Sequence, residues 1–163
     1  VGSTLHFSGE LIKQHAGLFM THIPYRATAP LISDLIGGAI DFAMMSPTSA
    51  APFIENGRLF GLGVTSAKRF AGAADIPAIA ETLPGYDIVV WFGLFGPAGM
   101  PKDITARLNT EVNRVMNTPE TKKTMEDMGV EVYNATPEQF LDTLRKETAY
   151  WNKAVREYSL KVD

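Results

Sequence analysis

Short apolar runs and amphipathic segments alternate along residues 1–66, and almost every change from one to the other is marked by Ser, Thr, Pro or Gly. Runs of strand character that hand over to segments of 3.6-residue period are the pattern of a βαβ chain. The expected fold class is therefore α/β, with a parallel-rich, doubly wound sheet rather than a bundle or a sandwich. Ser3 or Thr4 N-caps a helix to about Ala16, with Gly17 as its stop and Leu5, Leu11 and Ile12 on one face. Thr21 to Tyr25 reads as a strand. Thr28, two residues before Pro30, starts a helix whose stripe of Leu31, Ile32, Leu35 and Ile36 ends at Gly37-Gly38. Ile40 to Met45 reads as a buried strand and Ser46-Pro47 as the start of a short helix ending near Gly57. Leu59 to Val64 is the next strand, interrupted by Gly61 and Gly63.

After Thr65-Ser66 the pattern loosens. Gly72, Pro77, Pro84 and Gly85 bracket one short helical stretch, about Ala78 to Leu83, which marks a connecting region. Tyr86 to Phe95 is rich in β-branched and aromatic residues and is long enough to bridge two lobes. From Pro101 to about Asn117 the apolar residues Ile104, Leu108, Val112, Val115 and Met116 keep helical spacing, with Pro101 suited to the first turn. A second helix is expected over Pro119 to Met128, with Gly129 as its stop, followed by a short strand from Val130 to Tyr133. Thr136 with Gln139 forms a capping box, and Phe140, Leu144, Trp151, Val155 and Tyr158 line one side of the last helix.

Composition removes several functions. The 163 residues are 45% hydrophobic and 20% charged, an ordinary globular balance, and the net charge of −3 lacks the basic surface that a phosphate backbone requires. Nucleic acid is not an expected partner. Cysteine is absent, so disulfides, thiolate catalysis and Cys-ligated zinc are excluded. No apolar run reaches the roughly 18 residues of a membrane span. His6 and His15 do not have the i, i+4 spacing of a helical zinc site, and no nucleophile elbow, Walker motif or dinucleotide fingerprint occurs. No cofactor or metal is expected.

Chemistry concentrates at four junctions. Gly2-Ser3-Thr4, Tyr25-Arg26-Ala27-Thr28, Ser46-Pro47-Thr48-Ser49 and Thr65-Ser66 each place hydroxyls where a strand hands over to a helix or loop, and all four are expected on the same sheet edge. Helix N-termini there offer unpaired N–H groups and partial positive charge, and Arg26 adds a planar donor fork suited to a carboxylate. Each junction taken singly also fits plain helix capping. Arg26 fits either an anion site or an ion pair with Asp34 or Glu10, and Tyr25 either a ligand wall or the rim of the core. Met44 and Met45 fit core filling.

Several stretches together resemble the Bug or TctC-type extracytoplasmic solute-binding receptors of the tripartite tricarboxylate transporter system. They are GSTLHFSGEL (2–11), HIPYRATAPLISDLIGGAIDFAM (22–44), IENGRLFGLGVTSAKR (54–69), DIPAIAETLPGYDIVVWFGLFGPAGMPKDITARLN (75–109) and TPEQF (136–140), in family order along nearly the whole chain. The resemblance implies a type II periplasmic-binding-protein-like fold: residues 1–88 as the second, ligand-binding lobe, 89–100 as crossover, and 101–163 as the C-terminal helices of the first lobe. It implies capture of a small organic carboxylate in the periplasm, without catalysis, and its presentation to a membrane permease. The ligand-binding residues it implies are Gly2, Ser3, Thr4, Tyr25, Arg26, Ala27, Thr28, Ser46, Pro47 and Thr48. The family carries Gly after its PY[KR] triplet where this chain has Ala27, so a reshaped loop is expected.

By the same resemblance, a chain opening at Val1-Gly2-Ser3-Thr4 reads as the later part of a longer receptor. Apolar stripes on its last helices would then lack a cover, and self-association or exchange of the C-terminal segment with a second copy is expected. Two other functions fit the same α/β cleft. An effector-sensing domain of a regulator would carry an upstream DNA-binding helix pair, and a hydrolase would lose turnover on replacement of His6 or His22.

Overall fold

Helix limits fall close to where the local signals put them. A computed structural model describes residues 2–157, so Tyr158, expected on the last helix, lies outside the described residues. Helix α1 runs Thr4–Ala16, between N-cap Ser3 and Gly17, whose φ of 61° is the left-handed conformation that glycine adopts without strain. Thr28–Ile36 is α2 and Pro47–Glu55 is α3, the latter with Pro47 in its first turn. Two 3₁₀ turns follow, at Ala71–Ala73 and Ile79–Glu81. The remaining helices are α4 (Lys102–Met116), α5 (Pro119–Asp127) and α6 (Pro137–Glu157). At the start of α6 the expected capping box is present: Thr136 N–H donates to Gln139 Oε1 at 2.9 Å, and Gln139 N–H to Thr136 Oγ1 at 3.2 Å. No helix among the described residues is long and apolar enough to cross a membrane.

Strands are where expectation and structure part. Among the described residues, 21–25, 40–45, 59–64, 86–95 and 130–133 form no ladder, and the parallel pairing of Val64 with Ala78 is the one isolated bridge. There Val64 N–H donates to Pro77 O at 2.9 Å, and Ile79 N–H to Val64 O at 3.0 Å. On the next residue Ile88 N–H donates to Thr65 O at 2.8 Å. β-Branched composition favours extended backbone, but a ladder also needs a partner at the right distance, which composition does not supply. Phe60, Leu62, Phe92 and Leu94 within these runs are accordingly exposed.

The chain divides into two compact units, which meet in sequence between Val90 and Trp91. In the first, Leu11 is fully buried, with Ser8, Ala78, Tyr86 and Ile88 beside it in the buried set. A hydrogen bond ties this core together. The Tyr86 hydroxyl donates to the Ser8 carbonyl at 3.0 Å, joining α1 to a segment 78 residues away. Ser8 Oγ in turn donates to Thr4 O at 2.7 Å, so the one buried polar side chain of this kind among the described residues is satisfied. The connecting region is closed by a fork: Arg69 Nε and Nη2 donate to the two oxygens of Glu81 at 2.8 and 2.9 Å, and Ala78 N–H donates to Glu81 Oε1 at 2.9 Å. The Arg69 bonds, aided by the Ala78 N–H, hold the Glu81 carboxyl down at about 2.

In the second unit α4 packs against α5 and α6. Phe140 meets Trp91 edge-on, ring centres 5.4 Å apart, and Phe95 at 5.3 Å. The 134–135 segment is fastened to α4 by amides: Asn109 Nδ2 donates to Ala135 O at 2.8 Å, Asn113 Nδ2 to the same oxygen at 3.4 Å, and Asn117 Nδ2 to Asn134 Oδ1 at 2.7 Å. The stripe of Ile104, Leu108, Val112 and Val115 on α4 is exposed.

Leu11→Ala is expected to cost about 2–5 kcal/mol, the range for emptying a fully buried leucine site. Tyr86→Phe should cost about 1 kcal/mol, because the Ser8 carbonyl keeps its helix bond. Urea unfolding followed by far-UV circular dichroism measures both; a Leu11→Ala midpoint equal to that of the unaltered chain would contradict this core.

Candidate functional site

The first junction is built by the start of α1. Ser3, at φ −86° and ψ 163°, accepts the His6 N–H on its Oγ at 3.3 Å, which is ordinary N-capping. Gly2 has φ 76°, a left-handed value, and this turns its N–H toward His6 Nδ1 at 3.2 Å. An accepting Nδ1 carries no proton. The His6 ring stacks on His22, centres 4.2 Å apart and planes 27° from parallel. Partial burial, and after it the neighbouring His22, hold His6 below its ordinary pKa. Thr4 contributes its carbonyl to Ser8.

At the second junction the Tyr25 hydroxyl donates to Asp34 Oδ2 at 2.7 Å, and this bond to a carboxylate raises the phenol above its ordinary pKa. Arg26 is exposed and has no ion pair or hydrogen bond among the described residues. Both carboxylates that could have neutralised it are engaged elsewhere, Asp34 by Tyr25 and Glu10 by Lys13 Nζ at 3.0 Å. The ion-pair role for Arg26 is therefore not realised. Ala27 sits at φ −150° and ψ 155°, extended backbone open to any residue, so alanine introduces no strain into this loop. Having no side-chain acceptor, Ala27 leaves α2, which begins at Thr28, without a side-chain cap.

The third junction also lacks a cap bond. Ser46 precedes Pro47 at the start of α3, but its Oγ pairs with Ser49 Oγ at 2.8 Å and Thr48 Oγ1 at 3.3 Å instead of a backbone N–H. By contrast, α1 and α5 have side-chain caps at Ser3 and Thr118, and α6 has its box; α4 starts uncapped behind Pro101. Uncapped helix starts beside hydroxyls, with an unpaired guanidinium at one of them, can receive an anion.

His6–His22 brings the first junction to the run that leads into the second. No hydrogen bond or ring contact among the described residues joins Ser46, Pro47 and Thr48 to either. The fourth junction is spent locally: Ser66 Oγ donates to Lys68 O at 2.7 Å and Thr65 O accepts from Ile88. Sequence reasoning missed the Tyr25–Asp34 bond, which crosses the start of α2 without any periodic signal. It read Ser49 only as one of the hydroxyls of the third junction, not as the partner of Ser46 Oγ, and it weighed His6 and His22 only as catalysts or ligands. Among the described residues no three His, Asp or Glu side chains converge to hold a metal.

A family model described as "Tripartite tricarboxylate transporter family receptor" matches residues 1–160. The UPF0065 protein of the tcbD-tcbE intergenic region of Pseudomonas sp. strain P51 is 33% identical over 165 residues, covering 100% of this chain and 49% of its own length. Among solved structures, R. palustris Rpa4515 with adipate superposes with a TM-score of 0.80 at 31% identity, over 97% of this chain and 53% of that one. The periplasmic binding protein BugD superposes with a TM-score of 0.77 at 25% identity, over 99% of this chain and 55% of that one. The chain thus spans about half the length of these relatives and shares the fold of the matched part of periplasmic binding proteins.

Because Asp34 holds the Tyr25 proton, Asp34→Ala is expected to lower the ionisation midpoint of Tyr25 toward about 10, its ordinary value. The difference in tyrosinate absorbance between each protein and its Tyr25→Phe counterpart isolates this residue, and an unchanged midpoint would show that the bond does not persist in solution.

Proposed function

Since the chain belongs to the tripartite tricarboxylate transporter receptor family, we propose that it takes part in passive, non-catalytic capture of a small organic carboxylate in the periplasm and its delivery to a membrane permease. The ligand is held by helix-start N–H groups, hydroxyls and one guanidinium. Gly2, Ser3 and Thr4, Tyr25, Arg26, Ala27 and Thr28, and Ser46, Pro47 and Thr48 supply these contacts. Residues 1–88 form the second lobe of a type II binding protein with a parallel sheet. Residues 89–100 are the crossover, and 101–163 the C-terminal helices of the first lobe.

One observation carries this: Arg26 is exposed and unpartnered among the described residues while Asp34 and Glu10 are both occupied. A guanidinium left without a counter-charge is a ready acceptor of a carboxylate, which it can grip with two parallel bonds. The adipate in the R. palustris relative supports the same ligand class. The first-turn N–H groups of Thr28 and Ala29 at α2 and of Thr48 at α3, which no backbone or side-chain oxygen among the described residues accepts, would add a favourable field of about 0.3–2 kcal/mol per helix end.

Isothermal calorimetry against adipate, citrate, glutamate and benzoate tests this. At least one is expected to bind, and Arg26→Ala should weaken it about 10- to 100-fold, the equivalent of one or two charge-assisted hydrogen bonds. Binding by none of the probes would remove the receptor role. Binding that survives Arg26→Ala unchanged would remove only the part assigned to that residue.

The exposed stripe Ile104, Leu108, Val112 and Val115 supports a second element, self-association through α4 or exchange of the C-terminal segment between copies. Light scattering at roughly tens of micromolar, well within the range of weak homodimers, is expected to give more than the monomer mass. A monomer there would refute it.

A further inference from the structure

The run from Phe19 to Pro24 has little to hold it. Leu18 N–H donates to Lys13 O at 2.9 Å, closing α1, but among the described residues no backbone hydrogen bond is made from 19 through 27. Phe19 and Ile23 are exposed and Met20 is only half-buried, so apolar burial anchors the run weakly. Two side-chain contacts remain: His22 stacked on His6, and Tyr25 bonded to Asp34 at the far end. The stack is therefore half of what positions the loop that carries Arg26.

That contact depends on charge. Rings 4.2 Å apart and 27° from parallel pack well when neutral, whereas two imidazolium ions at this separation repel. His6 Nδ1 also accepts the Gly2 N–H at 3.2 Å, which a protonated Nδ1 cannot do. Among the described residues the charged groups acting on His6 are His22 and Lys13, which oppose its protonation, and Glu10, which favours it. Glu10 is bound to Lys13, so its influence is largely offset within the helix. We infer that the His6–His22 stack is a proton-operated latch that holds the Arg26 loop in place and releases it, together with the Gly2 N–H, on acidification.

The sign follows from His6. Its pKa in the fold is lowered, so the unfolded chain takes up protons first, and the stability that the stack contributes is complete above the ordinary histidine value. It is lost as pH falls from there through the lowered one. His22→Phe keeps an aromatic ring but cannot charge, and His22 is exposed, so the substitution leaves the core untouched.

Nuclear magnetic resonance of the ligand-free protein between about pH 8 and pH 5 reads the latch directly, this being the range in which histidine switches operate. Cross-relaxation between the His6 and His22 rings is expected at the upper end and should vanish as His6 titrates. In His22→Phe the His6 midpoint should rise, and ring contact should persist through the range. Ring contact that survives the titration of His6 in the unaltered protein would overturn the inference.

The coupling to capture rests on the function proposed above and is read separately, with adipate. Its affinity should change at least about threefold across the same range in the unaltered protein and less in His22→Phe. A pH-independent affinity would overturn the coupling. Absence of binding by adipate and by citrate, glutamate and benzoate at every pH would instead count against the receptor function, with the ring experiment still deciding the latch.

Discussion

One hydrogen bond gives the first unit its closure. The Tyr86 hydroxyl reaches the Ser8 carbonyl across 78 positions of sequence, and both residues are almost wholly buried. That bond fixes where α1, a thirteen-residue helix of a length that is marginal in water on its own, meets the later segment. With it, the helix acquires a buried face around Leu11, and its first turn becomes a fixed platform. Everything said of Gly2, Ser3 and His6 presupposes that platform. The tyrosine acts through both parts of its side chain, as a buried ring and as a donor to backbone, which is why a ring with a hydroxyl serves here.

How much of this could be read in the residues differs by element. Helix limits were legible because their signals are local: Ser3 and Gly17 for α1, Gly37 for α2, Thr136 with Gln139 for α6. Each signal is a hydrogen bond or a backbone preference satisfied within four residues. Strands were not legible to the same degree. Val, Ile and Phe at 86–95 specify a backbone that suits a sheet, but the pairing is a property of whatever lies alongside, and among the described residues only Val64 with Ala78 has that form.

The site shows the same division. Residue types at the junctions raise the expectation of anion chemistry, while Ser and Thr before a helix fit plain capping equally well. What the string could not resolve was competition. Arg26 had two carboxylates within plausible reach in sequence, and only three-dimensional placement shows that Tyr25 takes one and Lys13 the other. Ala27 is the complementary lesson: a departure from a family's glycine carries weight only if the position needs positive φ, and at −150° it does not.

The amide ladder of the second unit has a consequence for how this chain can vary in length. Asn109, Asn113 and Asn117 fall at successive i, i+4 positions on α4 and reach the backbone or side chain at 134–135. Adding or deleting one residue between 109 and 117 would swing the later rungs about 100° around the helix and detach them. A change between 118 and 133 leaves all three amides on one face and can be absorbed in the turns around α5. Insertions and deletions in descendants of this chain should therefore collect after Asn117 and spare the stretch before it.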